Sequence, residues 1–525
     1  MLRRPARVLW WSARVLWWSA RVLWWSARVL WCVLLQRRRA CWLQLAALAL
    51  LATFCVHVLW SSSAEHRRTK RQLLRRLAAT QRSPGQRPSC SAGARGTSPR
   101  AWLAVGSPQL GETGPYRVVY DYAPAVKRVT GNRSVTYCTH VTAERLERTA
   151  ALLTRWDGPL SVAVFVLPDE LCSLAVQLAR LRRCTPGFRR RVSVHLVYHV
   201  ARAPNLTRLA PPDQLAPSDC ARPLPAPVSE RRRLRLPYPV NVARNAARRA
   251  ARTHFVLSSD AELLPAVNTS ALFLQLMARV GRGEEPRLAV TSRQVYVLPV
   301  FEVEQRMPGN KSDLVGMLRS GEAVWFHRHV CPHCQRFPGV SQYTTKRFTP
   351  GKVAAFSVTY RQVPYHRWEP IYIGTDAEPL YDERLSWEGK QDKMTQMTAL
   401  CLRRYRMVVL DQLYLVHAPQ PGGIRRQPGF TDPADAWRAA FIEENQRHYQ
   451  RIVARLPTPA PSSRPATLHY TASVSRMARV SKQKFSQLGA EKPSGGRSSA
   501  RLELLCDLAR LRAEREGRLA ARLAA

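Results

Sequence analysis

The chain has 525 residues, 46% of them apolar and 22% charged, enough for one large globular domain or two ordinary ones with tails. Its formal net charge of +46 rests on 82 basic residues against 36 acidic ones, and the basic set is 72 Arg with only 10 Lys. These cations are spread along the whole length without a zinc-finger spacing, a homeodomain or an aromatic RNA-binding signature, so they read as Arg-biased composition and not as a nucleic-acid interface.

Residues 1–40 form an Arg- and Trp-rich tail in which the heptad Ala6–Ser12 is copied at Ala13 and Ala20 and begun again at Ala27. Copying this exact reads as expansion of a short tandem repeat and receives no function. Residues 41–60 carry no charge and have the length a helix needs to cross a bilayer. Arg37, Arg38 and Arg39 precede them, which predicts a signal anchor with the tail in the cytosol and the bulk of the chain in a lumen. Residues 61–116 are rich in Arg, Ser, Pro and Gly and read as a stem.

From residue 117 the pattern becomes that of a packed domain, expected to run to residue 455. Strands are predicted at residues 134–139, 160–167 and 191–198, with helices at 143–155 and 169–183 between them. A helix at 240–252 then leads into the apolar strand that begins at Phe255. This alternation predicts an α/β fold, a mostly parallel sheet with helices on both faces. The second half mixes strands and loops and ends in a helix at 433–455. Residues 456–525 form a low-complexity tail with Leu at helical spacing after 501.

The strand from Phe255 ends in Ser258-Ser259-Asp260-Ala261-Glu262. Two carboxylates at i and i+2, where extended backbone breaks into a loop, turn toward one cation. Hard oxygen ligands of this kind suit Mn²⁺ or Mg²⁺, ions that neutralise phosphate oxygens. Such ligands lie beyond the carboxyl ends of the strands of an α/β sheet, where Asp260 and Glu262 fall.

Four sequons, at Asn132, Asn205, Asn268 and Asn310, suit luminal exposure. Asn132, Asn205 and Asn310 are the expected glycosylation sites, whereas Asn268 sits close to the acidic pair and is expected to stay unmodified. Nine cysteines follow the anchor, an odd number. Cys331-Pro-His-Cys334, with His327 and His329 nearby, reads as a tight disulfide, or alternatively as half of a zinc site.

Five segments in a fixed order carry a family resemblance: Leu153-Thr-Arg-Trp-Asp-Gly-Pro-Leu-Ser-Val-Ala-Val-Phe165, Leu236-Pro-Tyr-Pro-Val-Asn-Val-Ala-Arg-Asn245, Trp368-Glu-Pro370, Tyr381-Asp-Glu-Arg384 and Leu415-Val-His417. Over residues 117–455 the chain resembles glycosyltransferase family 49. That resemblance implies a GT-A (Rossmann-like) fold and a single-pass type II Golgi membrane anchor. It also implies a UDP-sugar donor, a glycan or glycoprotein acceptor, Mn²⁺, and inversion at the anomeric carbon. Its best-known members imply glucuronic acid as the sugar and xylose as the acceptor.

The resemblance places the metal on Asp260, Glu262 and His417, with Glu262 departing from the D-x-D of better-known members. It places donor contacts on Thr139, His140, Asn241, Arg244 and Asn245, and an acceptor wall on Trp368 and Glu369. The base that takes the acceptor proton falls on Asp382 or Glu383. The segment Trp387–Lys393 is one residue longer than expected, which bears on acceptor and donor choice. Loss of catalysis, leaving a glycan- or partner-binding protein, is the alternative that Glu262 motivates.

Overall fold

The computed structural model describes residues 109–110 and 114–455, apart from 207–211, 216–219, 222–228, 289–292, 362–364, 366, 421–422 and 425–436. The expected anchor, most of the stem and the low-complexity tail lie outside the described residues. Among the described residues no helix is long and apolar enough to cross a membrane.

Fourteen strands occur in the described residues: β1 (Gln109–Leu110), β2 (Tyr116–Ala123), β3 (Gly131–Thr142), β4 (Leu160–Phe165), β5 (Val192–His199), β6 (Thr253–Ser258), β7 (Leu263–Pro265), β8 (Gln294–Leu298), β9 (Val300–Val303), β10 (Ala323–Trp325), β11 (Ala355–Thr359), β12 (Ile371–Gly374), β13 (Arg406–Leu410) and β14 (Leu415–His417). The main helices are α1 (Arg148–Arg155), α2 (Leu171–Cys184), α3 (Val240–Ala250), α4 (Thr269–Gly281), α5 (Lys311–Ser320), α6 (Met394–Leu402) and α7 (Ala439–Arg455).

Ten strands build one sheet in the order β1-β2-β5-β4-β3-β6-β12-β8-β13-β11, and β10-β9-β14-β7 build a second. The centre of the large sheet alternates as the sequence predicts. In β4, Val162 and Val164 join the apolar cluster of α1, α2 and α4, while Ala163 and Phe165 join the cluster of α3. Both faces of the strand are therefore buried, which explains its unbroken apolar run.

The sheet as a whole is mixed, which corrects the mostly parallel expectation. The β5-β4-β3-β6 block is parallel and so is the β8/β13 pair. In contrast, β2 runs against β5, β12 against both β6 and β8, and β11 against β13. Helical crossovers join the parallel strands of the first half, whereas β12 enters between β6 and β8 from a loop far along the chain. No local pattern announces that insertion.

The small sheet fixes the site. β7 follows the Asp260–Glu262 turn directly and pairs with β14, with Leu263 opposite His417. β14 in turn runs parallel to β9, with His417 opposite Glu302. The acidic turn thus bridges the end of β6 in the large sheet and the start of β7 in the small one.

Candidate active site

The turn after β6 is held from below. The Ser259 amide donates to the Cys138 carbonyl (3.0 Å), continuing the β3/β6 pairing, and the Leu263 amide closes the turn on the Asp260 carbonyl (3.1 Å). The buried Tyr137 hydroxyl reaches the carbonyls of Leu263 (2.7 Å) and Asp260 (3.1 Å). On the other side the Ala418 amide donates to the Glu262 carbonyl (2.9 Å), which sets the acidic turn beside His417.

The Asp260 side chain is 27% exposed. Its Oδ1 accepts from His140 Nε2 (3.0 Å) and from Arg244 Nη2 (3.0 Å). Burial by itself would raise this carboxyl. The charges of Lys393 and Arg244 and the His140 hydrogen bond outweigh it and hold Asp260 well below the usual carboxylate range. Glu262 pairs with Arg148 (3.3 Å). Burial pushes the His417 imidazole down, against the pull of Glu262 and Asp260, so it is neutral at neutral pH with a lone pair to offer.

Two carboxylates and a neutral imidazole make a donor set that suits Mn²⁺ or Mg²⁺. Among the described residues no three His, Cys, Asp or Glu side chains already stand close enough to hold an ion together. Asp260 and Glu262 are instead each engaged by an arginine.

The residues expected around the donor sort into distinct tasks. Thr139 is buried, and its Oγ1 has no hydrogen-bond partner among the described residues. His140 is also buried, spanning from the Tyr238 hydroxyl (2.9 Å at Nδ1) to Asp260, so it props the acidic turn. Asn241, Arg244 and Asn245 form one fully buried face of α3. Asn241 Nδ2 donates to the carbonyls of Asp382 and Asp392, both at 2.8 Å. Asn245 is doubly bonded to the Tyr381 backbone (2.8 and 3.0 Å). Arg244 joins Asp260 to Asp392 and also donates to Asn241 Oδ1 (3.0 Å). The two asparagines therefore anchor the 381–392 loop.

The two candidates for the base separate in the same way. Glu383 is 3% exposed, with Oε1 accepting from Asn245 Nδ2 (3.0 Å) and Oε2 buried without a hydrogen-bond partner. In this position the group secures the loop. Asp382 is 17% exposed and accepts from Arg384 (2.8 and 2.5 Å).

Trp368 is 2% exposed and packs in the core with Val295, Phe301 and Tyr372. In this structure the ring expected in the acceptor wall lies within that cluster. Glu369 remains near the site: its backbone is tied to the Cys334 carbonyl (2.8 Å), and its carboxylate faces Lys393 (3.9 Å). Cys331 and Cys334 are joined as a disulfide, in agreement with the tight-loop reading.

Asp392, Lys393, Arg148 and Tyr238 are site residues that the sequence reading did not select. Asp392 and Lys393 close the Trp387–Lys393 segment that was linked to acceptor and donor choice only as a whole, and the fold shows Asp392 buried and paired with Arg244, the partner of Asp260, with Lys393 half-buried next to it.

A family model described as "Glycosyl-transferase for dystroglycan" matches residues 134–457. Among curated proteins, β-1,4-glucuronyltransferase 1 of Homo sapiens is 29% identical over 334 residues, covering 61% of this chain and 75% of that protein. Xylosyl- and glucuronyltransferase LARGE2 of Homo sapiens is 24% identical over 344 residues, covering 64% of this chain and 40% of that protein. Among solved structures, S. aureus TarS aligns over 68% of this chain and 44% of its own at 12% identity, with a TM-score of 0.31 that carries no argument about fold.

Proposed function

The chain belongs to glycosyltransferase family 49 and is a glycosyltransferase, and from that premise we propose a metal-dependent inverting enzyme of GT-A fold, anchored in the Golgi membrane, that transfers glucuronic acid from UDP-glucuronic acid to xylose of an O-linked glycan. The observation that carries the reading is the Asp260–Glu262 turn, placed where β6 meets the small sheet and beside His417. The relatives' names support the choice of sugar.

In this reading Asp260, Glu262 and His417 would hold Mn²⁺ or Mg²⁺, and such an ion supplies positive charge against the diphosphate of the leaving UDP. Arg244 and His140 keep Asp260 ionised and aimed at that position. Arg148, paired with Glu262, supplies a further cation at the same edge.

Asp382 acts as the base, oriented by Arg384. The acceptor hydroxyl attacks the anomeric carbon from the face opposite the diphosphate. Its proton passes to the Asp382 carboxylate, the bond to the diphosphate breaks with its electron pair, and the sugar inverts. Asn241 and Asn245 hold the backbone of this loop, so the base has a fixed position before substrates arrive.

Asp260→Asn tests the assignment. UDP release is measured with a panel of UDP-sugars on a β-xyloside, with and without Mn²⁺. Turnover should fall by about 10³-fold or more, on the scale of a lost electrostatic contribution to the transition state, with the thermal unfolding midpoint nearly unchanged. A variant as active as the parent would remove Asp260 from the mechanism. Turnover with a different UDP-sugar would keep the family and correct the donor.

A further inference from the structure

A uronate donor brings a carboxylate on its sugar ring, and a closed site must meet it with a cation. With 72 Arg the sequence offers no way to choose one. The structure narrows the choice, because the cations around Asp260 are not equivalent.

Arg244 is fully committed: its guanidinium bonds Asp260, Asp392 and Asn241. Lys393 is not. Its ammonium stands 3.9 Å from Glu369 Oε2 and 3.9 Å from Asp392 Oδ2, beyond hydrogen-bond range in both cases. It donates no hydrogen bond among the described residues, although its side chain is only 19% exposed. Asp392, 3.9 Å from its ammonium, is also bonded to Arg244, which in turn bonds Asp260, so Lys393 belongs to the same side-chain cluster. An ammonium has three donors, and none of them meets an acceptor within hydrogen-bond range among the described residues.

Its surroundings fit an anionic sugar. Lys393 ends the 381–393 loop that carries Asp382, and that loop is pinned by Asn241 and Asn245 of α3. Glu369 stands across from it on a backbone held by Cys334 and by Gln335 Nε2 (2.9 Å). Cation and carboxylate thus sit on two rigid segments that face each other beside the acidic turn, and a sugar ring has one charged group and several hydroxyls to offer them.

We infer that Lys393 selects the donor: its ammonium takes the carboxylate of the transferred sugar, and Glu369 accepts a hydrogen bond from a neighbouring hydroxyl of the same ring. The inference rests on the glucuronyl reading above. The competing role for Lys393 is to neutralise Asp392 and Glu369 without touching substrate.

The experiment compares the full-length protein with Lys393→Met, Lys393→Gln and Lys393→Arg. Calorimetry measures binding of UDP, UDP-glucose and UDP-glucuronic acid in Mn²⁺ buffer, and thermal unfolding checks each variant's fold. Lys393→Met should weaken UDP-glucuronic acid by about 10- to 100-fold, the scale of a hydrogen bond to a charged group. UDP and UDP-glucose should weaken equally and several-fold less than UDP-glucuronic acid, because Arg244 and His140 still hold Asp260, and Lys393→Arg should restore part of the preference. Should the Met variant fail to fold, Lys393→Gln, which is one atom shorter but keeps two donors without the charge, decides by the same comparison. Equal losses for all three ligands would assign Lys393 to neutralisation, and an unchanged preference would remove it from recognition; either overturns the inference. A parent protein that does not prefer UDP-glucuronic acid to UDP-glucose overturns the glucuronyl reading itself, and Lys393's role with it.

Discussion

Lys311 illustrates what burial does to one residue. It opens α5, is 5% exposed, and holds its ammonium over the ring of Tyr343. Burial pushes that ammonium down to about 7, with Asp411 pulling weakly the other way. In the unfolded chain the same group titrates at its ordinary value of about 10.4. Between about pH 7 and 10 the unfolded state therefore binds a proton that the folded state does not, and stability contributed by this site rises with pH across that window. Lys311→Met keeps most of the stem and removes the charge. It should raise the unfolding midpoint at pH 7 by about 2–4 °C and flatten its climb toward pH 9. Scanning fluorimetry of both proteins from pH 6.5 to 9 tests this; parallel curves would mean that Lys311 stays charged in the fold. The same physics run in reverse shapes the active site, where Asp260 keeps its charge despite burial because Lys393, Arg244 and His140 face it.

At the scale of elements, the 381–393 loop is held between two helices. α3 grips it through Asn241 and Asn245, and Arg248 of the same helix reaches the carbonyl of Pro379 just before it (3.0 Å). α7 grips it through Asn445, whose Nδ2 donates to the carbonyls of Ser386 (2.8 Å) and Lys390 (2.9 Å). Gly389 lies where Asn445 passes, and a Cβ there would fall on the Asn445 side chain. Gly389→Ala should break this grip and cost about 1–3 kcal/mol, the scale of overpacking a buried contact. Because the loop carries Asp382, kcat should fall more than the affinity for UDP. Gly316, exposed on α5 with nothing within 4 Å of a Cβ, supplies the control. Gly316→Ala should stabilise by about 0.5–1 kcal/mol and leave kcat alone. Chemical denaturation and steady-state kinetics of the pair decide the matter: a Gly389→Ala enzyme with normal kcat would show that the loop does not need α7.

Across the whole molecule, what was legible in the sequence is what short-range pattern encodes. β3, β4, β5, β6 and the helices between them follow from apolar runs and helical spacing, and Asp260 and Glu262 stand out because a buried strand ends on them. What was hidden depends on pairing across long separations. β12 slips between β6 and β8, β14 pairs with β7 to bring His417 to the acidic turn, and Asp392 meets Arg244 from 148 residues away. Trp368 reads the same in sequence whether it faces a sugar or the core. The compartment poses the same difficulty, because the expected anchor lies outside the described residues and the proposed luminal location must be read from the domain itself. Asn132, Asn205 and Asn310 are exposed in the structure, and so is Asn268, the sequon expected to stay unmodified. A domain that folds in the secretory lumen presents Asn132, Asn205 and Asn310 to the glycosylation machinery. Endoglycosidase treatment of the full-length protein should then increase its gel mobility, and Asn→Gln changes at the three positions should remove that shift stepwise. A shift that survives the triple variant would assign a glycan to Asn268. Identical mobility before and after digestion would count against the luminal, Golgi-anchored reading, while leaving the chemistry of Asp260 and Lys393 to be judged by its own assays.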